Sequence, residues 1–303
     1  MNTPNVVVAI IVTYHPCFDS LSCLLDAIEP QVEKIIVVDN GSNADIQSFV
    51  ANRDDLDITC LLLGENLGVA FAQNTGITLA KQQGATYFVL FDQDSEPAPD
   101  MIQKLVLASE RMTEQGYSVA AIGPNYLDPR QNNPPPFIRI TGLQLERCAC
   151  TKPDSIVEVD YVISSGCLIP ATTIDVVGYM ADHLFIDYVD IEWGLRAKRF
   201  GYQSFGVCNA SMLHSLGENP IEFFGRKFPL HSPLRHYYHF RNAAWLYRQN
   251  LIPLNWKLVD AWRLLLKYGF YTLFARPHLK HLKMMTLGIW HGVRGRMGKL
   301  NDV

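Results

Sequence analysis

The N-terminal half of the chain alternates short apolar runs with amphipathic segments. Val6–Val12 is almost wholly β-branched, the pattern of a strand buried on both faces. Asp19–Ile28 repeats its apolar residues at helical spacing, and Lys34–Val38 is a second buried run. Ile58–Leu63, Thr86–Phe91 and Val119–Ile122 read as further strands. Ala70–Gln83 and Pro99–Gln115 read as helices between them. Strand–helix alternation of this kind predicts an α/β fold with a mostly parallel sheet covered by helices on both faces. Ligands of such sheets sit at the carboxyl ends of the strands. The polar clusters at 13–15, 39–42 and 92–94 all follow predicted strands, so one sheet edge is expected to carry the chemistry.

The second half is less regular. Residues 128–136 form a proline-rich loop, and Val157–Ile169 is strand-like but broken at Ser164-Ser165-Gly166. Asp190–Arg199 reads as a helix, Gln203–Leu213 as a strand, and 233–249 as a helix. Residues 215–232 lack periodicity and are expected to be an active-site loop. Over 256–275, at about 100° per residue, Lys257, Asp260, Arg263 and Lys267 share an arc of roughly 120° and the rest is nearly all apolar. Such a helix can lie in a membrane interface or pack on the body or a second subunit, and both readings stay open.

Composition then limits the class. The 303 residues are 48% hydrophobic and 18% charged, an ordinary globular balance that excludes fibrous and disordered chains. The net charge of −4 hides a division: residues 251–303 hold nine Lys/Arg against two acids, while 1–250 are strongly acidic. A basic tail outside the chemistry-bearing part is read as an attachment element rather than a nucleic-acid surface. The seven cysteines include no CxxC pair, and Cys148 and Cys150 are too close for an easy mutual disulfide, so a reduced, cytoplasmic protein is expected. Neither a signal peptide nor an uncharged apolar run of membrane-spanning length is found.

The candidate chemistry sits in short polar motifs. Asp92 and Asp94 flank Gln93 just after the apolar run YFVLF, and oxygen ligands of this kind hold Mg²⁺ or Mn²⁺. The same DxD also suits an acidic capping turn. Asp39 closes a strand in VVDNGS, where a carboxylate accepts N–H bonds from a base or forms an Asx turn. GENLGVAFAQNTGI places Asn66, Gly68 and Asn74 around a helix start, where a phosphate is favoured. Asp187, Asp190 and Glu192 crowd one helix start beside Trp193, offering a general base next to an aromatic platform, or simply acids favoured by the helix dipole. His214 follows a strand and suits a metal, a phosphate or a structural role.

Taken in order, IIVTYHP (10–16), VVDNGS (37–42), NLGVAFAQNTGI (66–77), FDQDSEP (91–97), SSGCLIP (164–170), YVDIEWGLRAKRFGY (188–202), His214 and RHYYHFRN (235–242) resemble family 2 glycosyltransferases of the GT-A fold. Within that family, FDQDSEP, YVDIEWGLR and the R-x-Y-Y-x-x-R-N segment are most similar to bacterial rhamnosyltransferases that use dTDP-L-rhamnose. The resemblance implies a Rossmann-like nucleotide half over about 1–125, an acceptor half over about 126–250, and a helical tail over 251–303. It implies donor contacts from Thr13, Tyr14, Asp39, Asn66, Gly68, Asn74, Asp92, Gln93, Arg235 and Arg241. It implies Asp94 and His214 on Mg²⁺ or Mn²⁺, Asp190 as the base, and Gly166, Glu192 and Trp193 toward the acceptor. Many family members carry Glu-Asp where this chain has Val189-Asp190. The implied reaction moves L-rhamnose to a hydroxyl of a surface-glycan precursor, free or lipid-linked. Peripheral contact with the inner membrane face and homo-oligomer contact through the C-terminal helices are the implied associations. A family 2 enzyme for another nucleotide sugar such as a UDP-sugar, a metal-dependent nucleotidyltransferase and an inactive binding relative are the competing readings.

Overall fold

The computed structural model describes residues 5–53, 56–128, 136–214, 221–223, 226–228 and 230–300. Four parallel strands form one side of the main sheet: β1 (Val7–Thr13), β2 (Lys34–Asp39), β3 (Ile58–Leu62) and β4 (Tyr87–Asp92), in the order β3-β2-β1-β4. Their connections are helical: α1 (Phe18–Ile28), α2 (Ile46–Ala51) and α3 (Val69–Gln82). The β-branched runs of β1 and β2 are buried on both faces, which is why they show no polar alternation.

The sheet continues past β4 with mixed direction. After the two-residue β5 (Glu96–Pro97) and α4 (Met101–Glu114), β6 (Val119–Leu127) begins the second half. A small hairpin follows, β7 (Phe137–Thr141) and β8 (Gln144–Cys148), then β9 (Ile156–Val159), β10 (Cys167–Pro170), α5 (Ala171–Val177), α6 (Val189–Arg199) and β11 (Gln203–Leu213). The full order is β3-β2-β1-β4-β10-β6-β11-β5, with β9 on β11. β10 runs antiparallel between β4 and β6, and β11 is parallel to β6. One sheet therefore crosses both predicted halves, with the expected parallel core β3-β2-β1-β4 and antiparallel pairings where β10, β5 and β9 join.

Two apolar clusters fill the faces of this sheet. One is centred on Ile10, Phe88, Leu168's neighbour Ile169 and Phe240, the other on Ile11, Phe91, Leu25 and Leu105. Beyond the short β12 (Ile221–Phe223) and β13 (Arg226–Phe228) hairpin come three helices, α7 (Pro233–Leu246), α8 (Leu254–Phe274) and α9 (His278–Arg294). The C-terminal tail is not detached from the body. A Cβ on Gly288 would stand 2.4 Å from the Tyr237 carbonyl oxygen, and one on Gly292 would stand 2.2 Å from that of Arg241. The two glycines let α9 lie directly on the α7 backbone.

Differences from the sequence expectations are local. The proline-rich loop lies largely outside the described residues, as do 215–220, 224–225 and 229 of the expected active-site loop over 215–232. The β7–β8 hairpin, α2 and α5 are not foreseen, whereas α9 falls inside the helical tail expected over 251–303. The expectation of uniformly reduced cysteines is corrected, because Cys150 and Cys208 form a disulfide with Cα atoms 5.6 Å apart. Pairing of β9 with β11, and the Cys208 N–H bond to the Ser155 carbonyl (3.0 Å), bring two residues 58 apart in sequence together. Spacing along the chain cannot show that.

Candidate active site

Register brings three motif ends to one edge. Thr13 pairs with Asp39, and Val12 with both Val38 and Asp92, so β1, β2 and β4 end level. The β5 strand pairs with the end of β11, Leu213 opposite Glu96, and this returns His214 to the Asp92–Ser95 turn. The result is a cleft of about 520 Å³, within the ~300–1,000 Å³ typical of small-molecule sites. Tyr14, Asn66, Gly68, Asp92, Gln93, Asp94, Asp190, His214 and Arg235 all line it.

The acidic wall comes first. His214 Nε2 lies 3.6 Å from Asp92 Oδ2 and its Nδ1 lies 3.8 Å from Asp94 Oδ1. Ser95 Oγ is 3.2 Å from His214 Nδ1 and 2.5 Å from Ser165 Oγ, which accepts the Asp92 N–H (3.2 Å). Burial pushes the Asp92 carboxyl up; His214 opposes the rise and Asp94 adds to it. A carboxylate pressed toward neutrality by burial and a neighbouring carboxylate is a site that a divalent cation relieves. Among the described residues no three His, Cys, Asp or Glu side chains form a complete metal-binding group. Mg²⁺ needs only one or two protein carboxylates, sharing the remaining positions with water and substrate phosphates.

The base candidate stands across the cleft. Among the described residues four non-glycine positions have positive φ, and three of them, Phe185 (67°), Asp187 (62°) and Tyr188 (63°), lie just before α6. Such strain persists only where the surroundings fix it. Here Asn242 Nδ2 donates to the carbonyls of Leu184 (2.9 Å), Ile186 (2.7 Å) and Asp187 (2.8 Å). Arg241, fully buried, donates to the carbonyls of Leu184 (2.8 Å), His183 (3.3 Å) and Gly298. The turn delivers two acids with different partners. Asp187 is paired with Arg235 at 3.2 Å. Asp190 accepts the Ile191 N–H (2.9 Å) and pairs with no cation among the described residues. Burial, then the nearby Asp187 and Asp92 charges, raise its carboxyl to about 6 despite that hydrogen bond. A carboxylate with a pKa near the working pH is suited to take a proton.

The nucleotide side is tightly organised. Gln93 clamps the end of β1, accepting the Tyr14 N–H (2.8 Å) and donating to its carbonyl (3.3 Å). Asn40 Nδ2 donates to Asn66 Oδ1 (3.2 Å). Gly68 has φ 96°, and a Cβ there would lie 2.7 Å from the Phe185 carbonyl oxygen, so α3 can start against the Phe185 turn only with glycine.

Several expected site residues lie behind the cleft rather than in it. Thr13 is buried and donates to Asp39 Oδ1 (2.9 Å), and Asp39 also takes the Ser42 hydroxyl (2.5 Å) and N–H (2.9 Å). Asn74 bonds the Met180 N–H and carbonyl (both 2.9 Å). Three N–H groups at the entry to α3 are already engaged: Leu67 donates to Asn40 (2.8 Å), Gly68 to Asn66 (3.0 Å) and Val69 to Phe185 (2.7 Å). Glu192 is buried in a two-bond pair with Arg196 (2.8 and 2.9 Å). Trp193 donates to the Gly178 carbonyl (2.8 Å) and faces an internal void beneath Asp190, not the acceptor side. Gly166, at φ 77°, packs on Pro124 and Met212 and turns the chain beside Asp92. Arg241 likewise serves the strained turn instead of a diphosphate.

This reassignment is testable. Arg241→Met and Asn242→Leu each strand buried carbonyls, at about 1–3 kcal/mol per orphaned group. A total loss of about 3 kcal/mol is expected for Arg241→Met, seen as a lower urea midpoint. Unchanged stability with weakened donor affinity would instead place Arg241 on the donor. Sequence reasoning gives Asn40 and Ser165 no role and names Asp187 only among the acids at a helix start. The Ser164-Ser165-Gly166 break in an apolar run is a usable signal for Ser165; the pairing of Asp187 with Arg235, 48 residues on, has no local signal.

Comparison with known proteins agrees with this geometry. The family model described as "Glycosyl transferase family 2" matches residues 9–152. The dTDP-rhamnosyl transferase RfbF of Shigella flexneri is 32% identical over 292 residues, covering 96% of each chain. Among solved structures, GalNAc-T7 with UDP, GalNAc and Mn²⁺ superposes with TM-score 0.59 at 12% identity, over 90% of this chain and 58% of that one. Residues 1–349 of S. aureus TarS in complex with UDP-GlcNAc give 0.57 at 14% identity, over 96% and 82%. The fold is the GT-A fold.

Proposed function

The chain belongs to glycosyl transferase family 2, and we propose that it is an inverting, divalent-cation-dependent rhamnosyltransferase that carries L-rhamnose from dTDP-L-rhamnose to a hydroxyl of a surface-glycan precursor. The observation that carries the mechanism is the pairing of acids across one cleft: Asp94 with Asp92 and His214 on one wall, Asp190 on the other. The donor follows from the likeness to RfbF along nearly the whole chain. Family membership displaces the nucleotidyltransferase alternative, and the presence of Asp92, Asp94 and Asp190 speaks against an inactive relative.

In this reading Tyr14, Asn66, Gly68 and Gln93 border the nucleotide, and Asp39, held by Thr13 and Ser42, shapes the floor beneath it. Asp94 and His214 would hold Mg²⁺ or Mn²⁺, which when bound neutralises charge on the departing diphosphate. Arg235 adds a fixed positive charge on the same side, oriented by Asp187. Asp190 takes the proton of the acceptor hydroxyl as that oxygen attacks the anomeric carbon in line, and dTDP leaves from the opposite face. Residues 1–250 form the catalytic part, with donor and acceptor halves on one continuous sheet.

Release of dTDP together with a glycoside of inverted anomeric configuration, read by NMR, is the expected outcome with dTDP-L-rhamnose and a glycan acceptor. Retained configuration would remove Asp190 from the role of base. The pH dependence follows from the same carboxyl. The base must be ionised, and burial holds its pKa at about 6, so kcat/KM should fall as pH drops through about 6. A profile flat down to pH values near an ordinary aspartate's range would contradict the assignment.

A further inference from the structure

The 21-residue helix α8 is turned inside out. Its charged side chains face the protein. Asp260 accepts the hydroxyls of Tyr188 (2.9 Å) and Tyr247 (2.7 Å), Lys257 donates to the Gln249 carbonyl (2.7 Å), and Lys267 lies 3.2 Å from His239 Nε2. Its apolar side chains face outward. Leu254, Leu258, Trp262, Leu265, Leu266 and Leu273 are each more than half exposed. At about 100° per residue these six fall within an arc of roughly 120°, opposite the charged arc. Every exposed position of the helix is apolar or glycine. A continuous stripe of this kind marks an interaction surface.

Charge identifies what covers it. The chain runs from Leu273 and Phe274 directly into exposed Arg276, Lys280 and Lys283, with Leu279 also exposed. Residues 261–300 contain eight Lys/Arg and no acid. Two copies meeting through this face would set base against base, whereas anionic headgroups complement it. Among the described residues no helix is long and apolar enough to cross a membrane, so the stripe can lie on a bilayer but not span it. We propose that α8 and the basic start of α9 dock the enzyme flat on an anionic lipid bilayer, with Trp262 and the leucines entering the interface and Arg276, Lys280 and Lys283 meeting the headgroups. The inward Asp260 ties this docking helix to Tyr188, two residues before Asp190, so the membrane face and the cleft form one rigid unit. The proposal does not depend on the choice of donor.

Cosedimentation of the full chain with vesicles tests it, using phosphatidylcholine alone and phosphatidylcholine with one-third phosphatidylglycerol. Binding to the phosphatidylglycerol vesicles, weakened by salt, is expected. The double variant Trp262→Gln/Leu266→Gln and the charge variant Lys280→Glu/Lys283→Glu should each lower partitioning about tenfold or more. Their far-UV circular dichroism should match the parent. Light scattering after size exclusion is run on the same proteins. A parent that ignores anionic vesicles overturns the proposal. So does a dimer that Trp262→Gln/Leu266→Gln dissociates, because a second copy would then cover the stripe.

Discussion

Replacing Asp190 with asparagine should lower kcat for glycosyl transfer by about 10³-fold while leaving donor affinity within a factor of about two. The substitution keeps size and the Ile191 N–H contact but removes the basic oxygen. General-base catalysis contributes about 10²–10⁴-fold in enzymes, and no second unpaired acid stands ready among the described cleft residues. Asp187 is bound to Arg235, and Asp92 and Asp94 stand on the opposite wall with His214. Asp187→Asn provides the control. It should loosen Arg235 and weaken donor binding, leaving the acidic limb of the pH profile near 6. Full transfer by Asp190→Asn would mean that another group takes the proton.

Loss of Asp94 should be nearly as severe, but in a different parameter. Asp94→Ala removes the carboxylate proposed to hold the cation, so donor binding in the presence of Mg²⁺ or Mn²⁺ should weaken by about 10²-fold, with turnover falling in step. Two lines of chemistry support this. Burial pushes the Asp92 carboxyl up and Asp94 adds to the rise, although His214 and Arg235 oppose it, so a bound cation would favour the charged form of this wall. The His214 nitrogens are 3.6 Å from Asp92 and 3.8 Å from Asp94, longer than a direct hydrogen bond. Chelation by EDTA should reproduce the effect in the parent protein and add nothing in Asp94→Ala. Equal donor affinity with and without EDTA would remove the cation from the account.

The parts of this protein that were legible in its sequence are those whose signal is local. The runs of β1, β2 and β4 announce buried strands because both faces are covered, and each ends in a polar motif that register then aligns. Asp94, Asp190 and His214 could be singled out because acids directly after an apolar strand or at a helix start are conspicuous. What the sequence hid depends on contacts distant along the chain. Arg241 and Asn242 read as polar residues on a helix near a diphosphate; only folding shows them gripping carbonyls more than 50 residues away. Glu192 and Trp193 likewise sit beside the base in sequence yet are spent elsewhere: Glu192 lies about 200° round the helix from Asp190 and pairs with Arg196, and the Trp193 indole N–H is held by the Gly178 carbonyl just after α5. The charge pattern of α8 was visible, but its direction was not. An amphipathic helix is expected to turn its polar side to water, and here buried tyrosine hydroxyls and a histidine hold that side inward.

The central claim is that this cleft takes dTDP-L-rhamnose with a divalent cation seated at Asp94. Calorimetric titration of dTDP-L-rhamnose and of UDP-GlcNAc into the full chain, each with Mn²⁺ and with EDTA, tests it most directly. The account predicts that dTDP-L-rhamnose binds at least about tenfold more tightly than UDP-GlcNAc, a difference of about 1.4 kcal/mol, and that EDTA removes the binding. Preferential binding of UDP-GlcNAc, or dTDP-L-rhamnose binding that EDTA leaves unchanged, would contradict it.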